Sequence, residues 1–151
     1  MENKALNNLQ PIFMERTLII FKPDCVAKKV EGEVLDRFLK NGFNLIACKM
    51  SRLNMDILKR HYCDHIEKPF FPPLADFMQS GNVIVAVLER ENAIAKAREM
   101  LGPTDSSKAP KGTIRGDFGT DMRVNVCHAS DSAESAEREI SNFFSKEEIF
   151  G

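Results

Sequence analysis

Three residues of this chain stand where the surrounding pattern does not account for them: His128, Arg98 and Glu139. His128 lies in Asn125-Val126-Cys127-His128-Ala129-Ser130-Asp131, at the end of a strand-like run and just ahead of a helix start. The free N–H groups and dipole of a helix N-terminus favour anions. An imidazole placed there is either a hydrogen-bonded core histidine or a functional residue, and the pattern leaves both readings open. Asn125 and His128 are three positions apart, so a regular strand would point them to opposite faces. If both serve one site, the strand must bulge or end between them.

Arg98 follows a helix stripe made by Ile94, Ala97 and Leu101. At ~100° per residue it projects on that inward side, between Ile94 and Ala95, and not with Lys96 and Glu99. An unpaired buried charge costs several kcal/mol, so an inward arginine must meet an anion. Pattern alone favours a salt bridge to a carboxylate of the fold. Glu139 lies at the edge of the Ala136, Ile140, Phe143 stripe, while Glu134, Glu137 and Arg138 face away. It reads as a rim residue or as the orienting partner of a histidine.

Other constellations are weaker. His61 and His65 have an i, i+4 spacing, but Cys63 falls on another helical face and no further ligand clusters near them. They read as surface or half-buried helix residues, not as a metal site. Neither a Gly-x4-Gly-Lys-(Ser/Thr) loop nor a Gly-x-Gly-x-x-Gly fingerprint is present; Gly112, Gly116 and Gly119 match neither spacing. Val83 to Leu88 and Val124 to Ala129 lack aromatics, which disfavours an RNA-recognition sheet.

The elements that must position these residues follow from periodicity. Thr17 to Phe21 reads as a buried strand stopped by Lys22-Pro23. Val30, Val34, Leu35, Phe38 and Leu39 share a helical face closed by Asn41-Gly42. Leu45 to Met50 reads as a strand. Asn54 caps a helix through Leu58 and Tyr62, and Pro72-Pro73 opens a short helix ended by Ser80-Gly81. Val83 to Leu88 is a third strand, and Asn92 caps the helix that runs to Leu101-Gly102. Pro103 to Arg123 has no period, a length of loop usually reserved for function or disorder. Val124 to Ala129 is the last strand, and Asp131 with Glu134 makes a capping box before the final helix. Four strands in a βαββαβ order, with an extra helical hairpin and a long loop, predict an α+β, ferredoxin-like domain with a four-stranded antiparallel sheet. A flavodoxin-like parallel sheet competes, but five regular β-α units are not present.

Composition agrees with one soluble domain. The chain has 151 residues, 43% hydrophobic and 28% charged. A chain of this size buries roughly 69% of its unfolded surface, enough for an unassisted core. Lys+Arg 21 against Asp+Glu 22 argues against a broad basic surface for nucleic acid or membrane, though not against a local cluster of cations. Cys25, Cys48, Cys63 and Cys127 form no framework and read as reduced thiols, and the first fourteen residues lack the apolar region of a signal peptide.

Asn125-Val126-Cys127-His128-Ala129-Ser130-Asp131 also resembles the Asn-x-x-His-(Gly/Ala)-Ser-Asp signature of nucleoside diphosphate kinases. Glu15-Arg16-Thr17, Phe21-Lys22-Pro23-Asp24, His61-Tyr62, Pro69-Phe70-Phe71, Arg98 to Gly102, Gly112 to Phe118 and Ser132 to Glu137 follow in that family's order, so the likeness runs from Glu15 to Phe144. Several collinear motifs are a specific signal. The resemblance implies a ferredoxin-like domain that passes the γ-phosphoryl of a nucleoside triphosphate to a diphosphate through a phosphohistidine, by a ping-pong mechanism. His128 is then the nucleophile, Glu139 holds its other ring nitrogen, Ser130 lies close by and Tyr62 is near the imidazole. Lys22, Arg98, Thr104 and Arg115 contact phosphates, Lys22 and Asn125 reach the ribose, and Phe70 stacks on the base beside Leu74 and Met122. Mg²⁺ is expected on the nucleotide phosphates with no direct protein ligand. ATP, GTP and other nucleotides are the expected partners, with a tetrameric or hexameric homo-oligomer, a cytoplasmic location, and no membrane or specific nucleic-acid binding.

Against the family pattern, Ala129 replaces the usual glycine, which would be strained if the position needs positive φ. Ser106 replaces the proline of an Asn-Pro pair, in a loop that helps assemble subunits in relatives. The chain resembles the short bacterial type, with residues 1–14 read as a flexible arm and 15–151 as the kinase domain. A homologue that binds nucleotide without transferring phosphate is the rival reading, but no position of the expected site is missing.

Overall fold

The computed structural model describes residues 13–151. Most of the expected N-terminal arm therefore lies outside the described residues. Phe13 is exposed, and Met14 already opens the first strand, ahead of the expected boundary.

Four strands build the sheet: β1 (Met14–Phe21), β2 (Asn44–Ser51), β3 (Val83–Glu91) and β4 (Cys127–Ala129). Their order is β2-β3-β1-β4, with β1 antiparallel to β3 and β4, and β2 antiparallel to β3. This is the ferredoxin-like α+β arrangement; the parallel alternative is excluded. Helices α1 (Pro23–Ala27) and α2 (Glu31–Lys40) follow β1, α3 (Met55–His61) and α4 (Phe71–Met78) form the insertion before β3, and α5 (Ala93–Leu101), α6 (Ile114–Phe118) and α7 (Ala133–Phe143) complete the chain.

Leu18 to Phe21 is a continuous apolar run because both faces of the sheet are covered. Leu18 and Ile20 pack with Leu58 of α3, Met78 of α4 and Phe143 of α7. Ile19 and Phe21 pack on the opposite side with Phe38 of α2, Ala97 and Leu101 of α5, and Ile114 of α6. Each large side chain buried in these layers contributes about 1.5–3 kcal/mol. Among the described residues, no helix is long and apolar enough to cross a membrane.

Helix ends match the expected residues only in part. Asn54 caps α3, its side chain accepting from Ile57 N at 2.9 Å. Asn92 does not cap α5: it sits at φ 54 with no side-chain cap bond, and Glu15 of β1 accepts the Ile94 N–H at 2.8 Å instead. The α7 cap is Ser132, which accepts from Ser135 N at 3.0 Å, not the Asp131 box. The segment 103–123 is not structureless. It holds a 3₁₀ turn at Ser106–Lys108 and α6, whose cap Thr113 accepts from Gly116 N. Gly102, at φ 82, lets this segment return closely, since a Cβ there would meet Thr113 Oγ1 at 2.9 Å. Ser106 is buried, and its backbone N–H donates to Asp121 O at 3.1 Å.

β4 is shorter than the expected 124–129 span, and its start resolves the Asn125–His128 problem. Cys127 N donates to Asn125 O at 2.9 Å around Val126, which has φ 76. This is the rare γ-turn with a positive central φ, strained for a β-branched residue. Asn125 thus lies before the strand. Ala129 is not among the positive-φ residues, so the strain expected at Ala129 is found at Val126 instead.

Candidate functional site

β4 is antiparallel to β1 with His128 opposite Ile20, so the imidazole faces the α3 and α7 side of the sheet. There Glu139, inward on α7 and only 4% exposed, brings its Oε1 to 2.6 Å from His128 Nε2. Glu139 is therefore not a rim residue. Ser130 Oγ donates to the same carboxylate oxygen at 3.0 Å and accepts the Leu18 N–H at 3.0 Å, which locks the carboxylate to β1. A carboxylate acceptor fixes the imidazole proton on Nε2 and leaves the lone pair on Nδ1.

His128 sits in the wall of a cleft of about 520 Å³. Of the residues expected at the site, all but Ser130 line it; Ser130 lies behind Glu139. Lys22, at the end of β1, is 5% exposed, and its Nζ reaches Arg123 O at 3.4 Å. Burial, then repulsion from Arg115, lowers its pKa to about 8. Arg115, on α6, donates to three backbone carbonyls: Asn125 at 3.2 Å, Gly102 at 3.1 Å and Cys127 at 2.8 Å. No carboxylate pairs with it among the described residues, and burial lowers its pKa. Among the described residues neither of these two buried cations forms a salt bridge, which leaves a positive hollow.

Arg98 corrects an expectation. It is exposed, not buried, and its only hydrogen bond is from Nη1 to Ala129 O at 3.2 Å among the described residues. The fold supplies it no salt bridge; it stands at the cleft wall with its charge available. Asn125 is 1% exposed and donates Nδ2 to Thr104 O and Met122 O, both at 3.0 Å, while Oδ1 is buried without a partner. It can therefore accept from a hydroxyl but has no free donor. Phe70 is 45% exposed at the mouth, tilted against His65 with centroids 5.5 Å apart, and Leu74 and exposed Met122 line the same cleft. Thr104 is exposed. Burial pushes the Tyr62 phenol well above its ordinary range, with Glu139 adding to the effect.

Sequence reasoning missed Arg123, Arg138 and His61. With them, the lining carries five cations (Lys22, Arg98, Arg115, Arg123, Arg138) against three carboxylates (Asp64, Asp131, Glu139). The local excess of positive charge is invisible in a chain total of −1. His61 is not a surface residue: it is 5% exposed, edge-to-face with His128 at 4.5 Å between centroids. Its sequence signals were the i, i+4 spacing with His65 and the His61-Tyr62 pair, neither of which shows burial. The ligand atoms of His61, His128 and Glu139 lie within 4.8 Å of one another. Nothing comparable gathers hard oxygen ligands around the cleft among the described residues, so a Mg²⁺ ion would have to arrive on a substrate's own oxygens.

The geometry comprises an imidazole with one nitrogen facing away from its partner, a buried carboxylate behind it, a cationic hollow and an aromatic lip. That combination suits transfer of a charged group to and from His128. Similarity to known proteins extends over most of the chain. The sequence profile of the family described as Nucleoside diphosphate kinase matches residues 15–149. A nucleoside diphosphate kinase of Nitratiruptor sp. is 50% identical over 136 residues, 90% of this chain and 99% of that protein. One from Saccharomyces cerevisiae is 45% identical over 135 residues, 89% of this chain and 88% of that protein. Among solved structures, the Aquifex aeolicus nucleoside diphosphate kinase superposes with a TM-score of 0.88 at 49% identity, covering 91% of this chain and 99% of that one. The Halobacterium salinarum nucleoside diphosphate kinase, solved in complex with CDP, gives 0.89 at 36% identity, covering 92% and 93%.

Proposed function

The chain belongs to the nucleoside diphosphate kinase family, and from that membership we propose the residues by which it transfers the γ-phosphoryl of a nucleoside triphosphate to a nucleoside diphosphate. The observation that carries the assignment is the 2.6 Å contact of His128 Nε2 with Glu139 Oε1. Nδ1 of His128 attacks the γ-phosphorus in line, and the bond to the leaving β-phosphate oxygen breaks. The phosphorylated ring keeps its Nε2 proton and becomes cationic, so no proton need leave in this half. Glu139 offsets that developing charge, and Ser130 holds the carboxylate in register. The second half is the reverse, with a diphosphate as acceptor.

Lys22, Arg98 and Arg115 take the phosphates, joined by Thr104. Phosphoryl transfer relies on such positioning and charge neutralisation more than on covalent chemistry by the protein. Asn125 accepts a ribose hydroxyl through Oδ1, with Lys22 as the complementary donor. Tyr62 closes the wall beyond His61 as a neutral phenol. Phe70 stacks on the base with Leu74 and Met122 beside it, a mode that reads no base edge and so admits every nucleobase. Reaction in this family calls for a divalent cation. Mg²⁺ suits it, held by the nucleotide's own phosphate oxygens as part of the substrate.

We further infer a kinase domain over residues 15–151 with an arm at 1–14, acting in the cytoplasm on ATP, GTP and other nucleotides. A homo-oligomer, tetramer or hexamer, is supported by β2, an edge strand of the sheet among the described residues, and by its exposed Leu45 and Met50. Initial rates measured at several fixed acceptor concentrations test the reaction scheme. Parallel double-reciprocal lines are expected, and intersecting lines would contradict a ping-pong enzyme.

A further inference from the structure

His61 is the buried group that phosphoryl transfer does not use. Its ring is wedged edge-on between Tyr62, His128 and Phe143, with centroids 4.6, 4.5 and 5.7 Å away. Neither ring nitrogen has a hydrogen-bond partner among the described residues. Leaving a buried donor or acceptor unmet carries its full desolvation penalty. An imidazole placed in this way offers a nitrogen lone pair as a ligand. One nitrogen of His61, one of His128 and a carboxylate oxygen of Glu139 all lie within 4.8 Å of one another. Two imidazoles and one carboxylate are a donor set for a borderline transition ion, whereas Mg²⁺ requires oxygen.

We propose that His61, His128 and Glu139 form a Zn²⁺ site, its fourth position open to the cleft, and that Zn²⁺ there and phosphate on His128 exclude one another. Zinc bonds of ≈ 2.0–2.2 Å put tetrahedral ligand atoms about 3.3 Å apart. The His128–Glu139 pair, at 2.6 Å, opens by about 0.7 Å as the ion takes the place of the proton between them. The widest separation within the group, at most 4.8 Å, closes by up to about 1.5 Å. Ser130 continues to hold the carboxylate, as partners behind a ligand commonly do. Coordination through Nε2 moves the His128 ring proton to Nδ1. The ring stays neutral, no proton is released, and the lone pair that would attack phosphorus is occupied. Exclusion of phosphate rests on the proposed role of His128; the binding of the ion does not.

The test uses the full chain freed of metal and titrated with Co²⁺, whose visible absorption reports four- or five-coordination. Bands that appear at one equivalent and are bleached by equimolar Zn²⁺ are expected. His61→Asn should weaken Co²⁺ binding by at least about tenfold, and His128→Gln, which leaves the Tyr62 and Phe143 contacts of His61 in place, should do the same. Phosphoenzyme made by ATP should bind no Co²⁺. Absence of bands in the intact protein overturns the site, and so do bands unchanged in both variants; bands unchanged in the phosphoenzyme overturn the mutual exclusion. Phosphoenzyme formation by the metal-free protein is scored separately, so loss of the Co²⁺ signal and failure of the kinase reading are distinguishable.

Discussion

The carboxylate of Asp24 accepts the Val126 N–H at 3.1 Å, tying the start of α1 to the strained turn two residues before His128. Val126 is fully buried at φ 76, a conformation a β-branched residue adopts only when its surroundings enforce it. Asp24 is one of those surroundings. Asp24→Ala leaves the N–H unmet and should destabilise the fold by about 1–3 kcal/mol in denaturant titration. It should also lower phosphoryl transfer beyond the loss of folded protein, because the turn sets the direction of β4. Full activity per folded molecule would show that the turn holds without it.

Glu139 is argued to act through charge, and an isosteric change separates charge from shape. Glu139→Gln keeps an oxygen for His128 Nε2 and Ser130 Oγ but removes the anion opposite the developing imidazolium. Single-turnover phosphorylation should slow on the order of 10²-fold, with nucleotide affinity unchanged. A loss confined to affinity would place Glu139 in binding instead.

Lys22 makes nucleotide binding pH-dependent. Its folded-state pKa of about 8 lies below the ordinary 10.5, so between these values the unfolded chain holds the proton and the folded one does not. Its cost to stability is full below pH ~8 and fades as pH rises toward ~10.5. Phosphates at Lys22 raise its pKa again, so binding at pH ~8.5 takes up a proton while binding at pH ~6.5 does not. Calorimetry in buffers of different ionisation enthalpy should detect the uptake, and Lys22→Met should abolish it.

Arg98 stands exposed with no carboxylate partner, so its removal should not disturb folding. Arg98→Ala should remain within about 0.5 kcal/mol of the parent in stability. Nucleotide binding should weaken on the order of 10-fold to 100-fold, the worth of a charged hydrogen bond of about 1.5–3 kcal/mol. Cooperative unfolding would reveal a structural role.

What was legible in the sequence was what repeats or is local. The apolar run Leu18 to Phe21, the stripe through Val34 and Phe38 and the Asn54 cap each follow from neighbours in the chain. Asn92 misled because the helix cap is supplied by Glu15, 79 residues before the Ile94 N–H that it accepts. Helix α6 is too short to show a period, so the glycine-rich stretch looked like loop. Arg98 is exposed because its side chain leaves the helix face toward the open cleft, and helical phase alone cannot show where a core ends. His61 was missed because its burial depends on β4 and α7 arriving from the far end of the chain. The site residues were recognised through the collinear motifs; from residue pattern alone His128 stayed ambiguous, since the partner that orients it lies eleven positions away on another element.

The central claim is that His128 carries the phosphoryl group. Incubation with γ-labelled ATP should leave a base-stable, acid-labile label on the protein, which ADP or GDP discharges and which His128→Ala never acquires. Label persisting in His128→Ala, or no label on the intact chain, would contradict it.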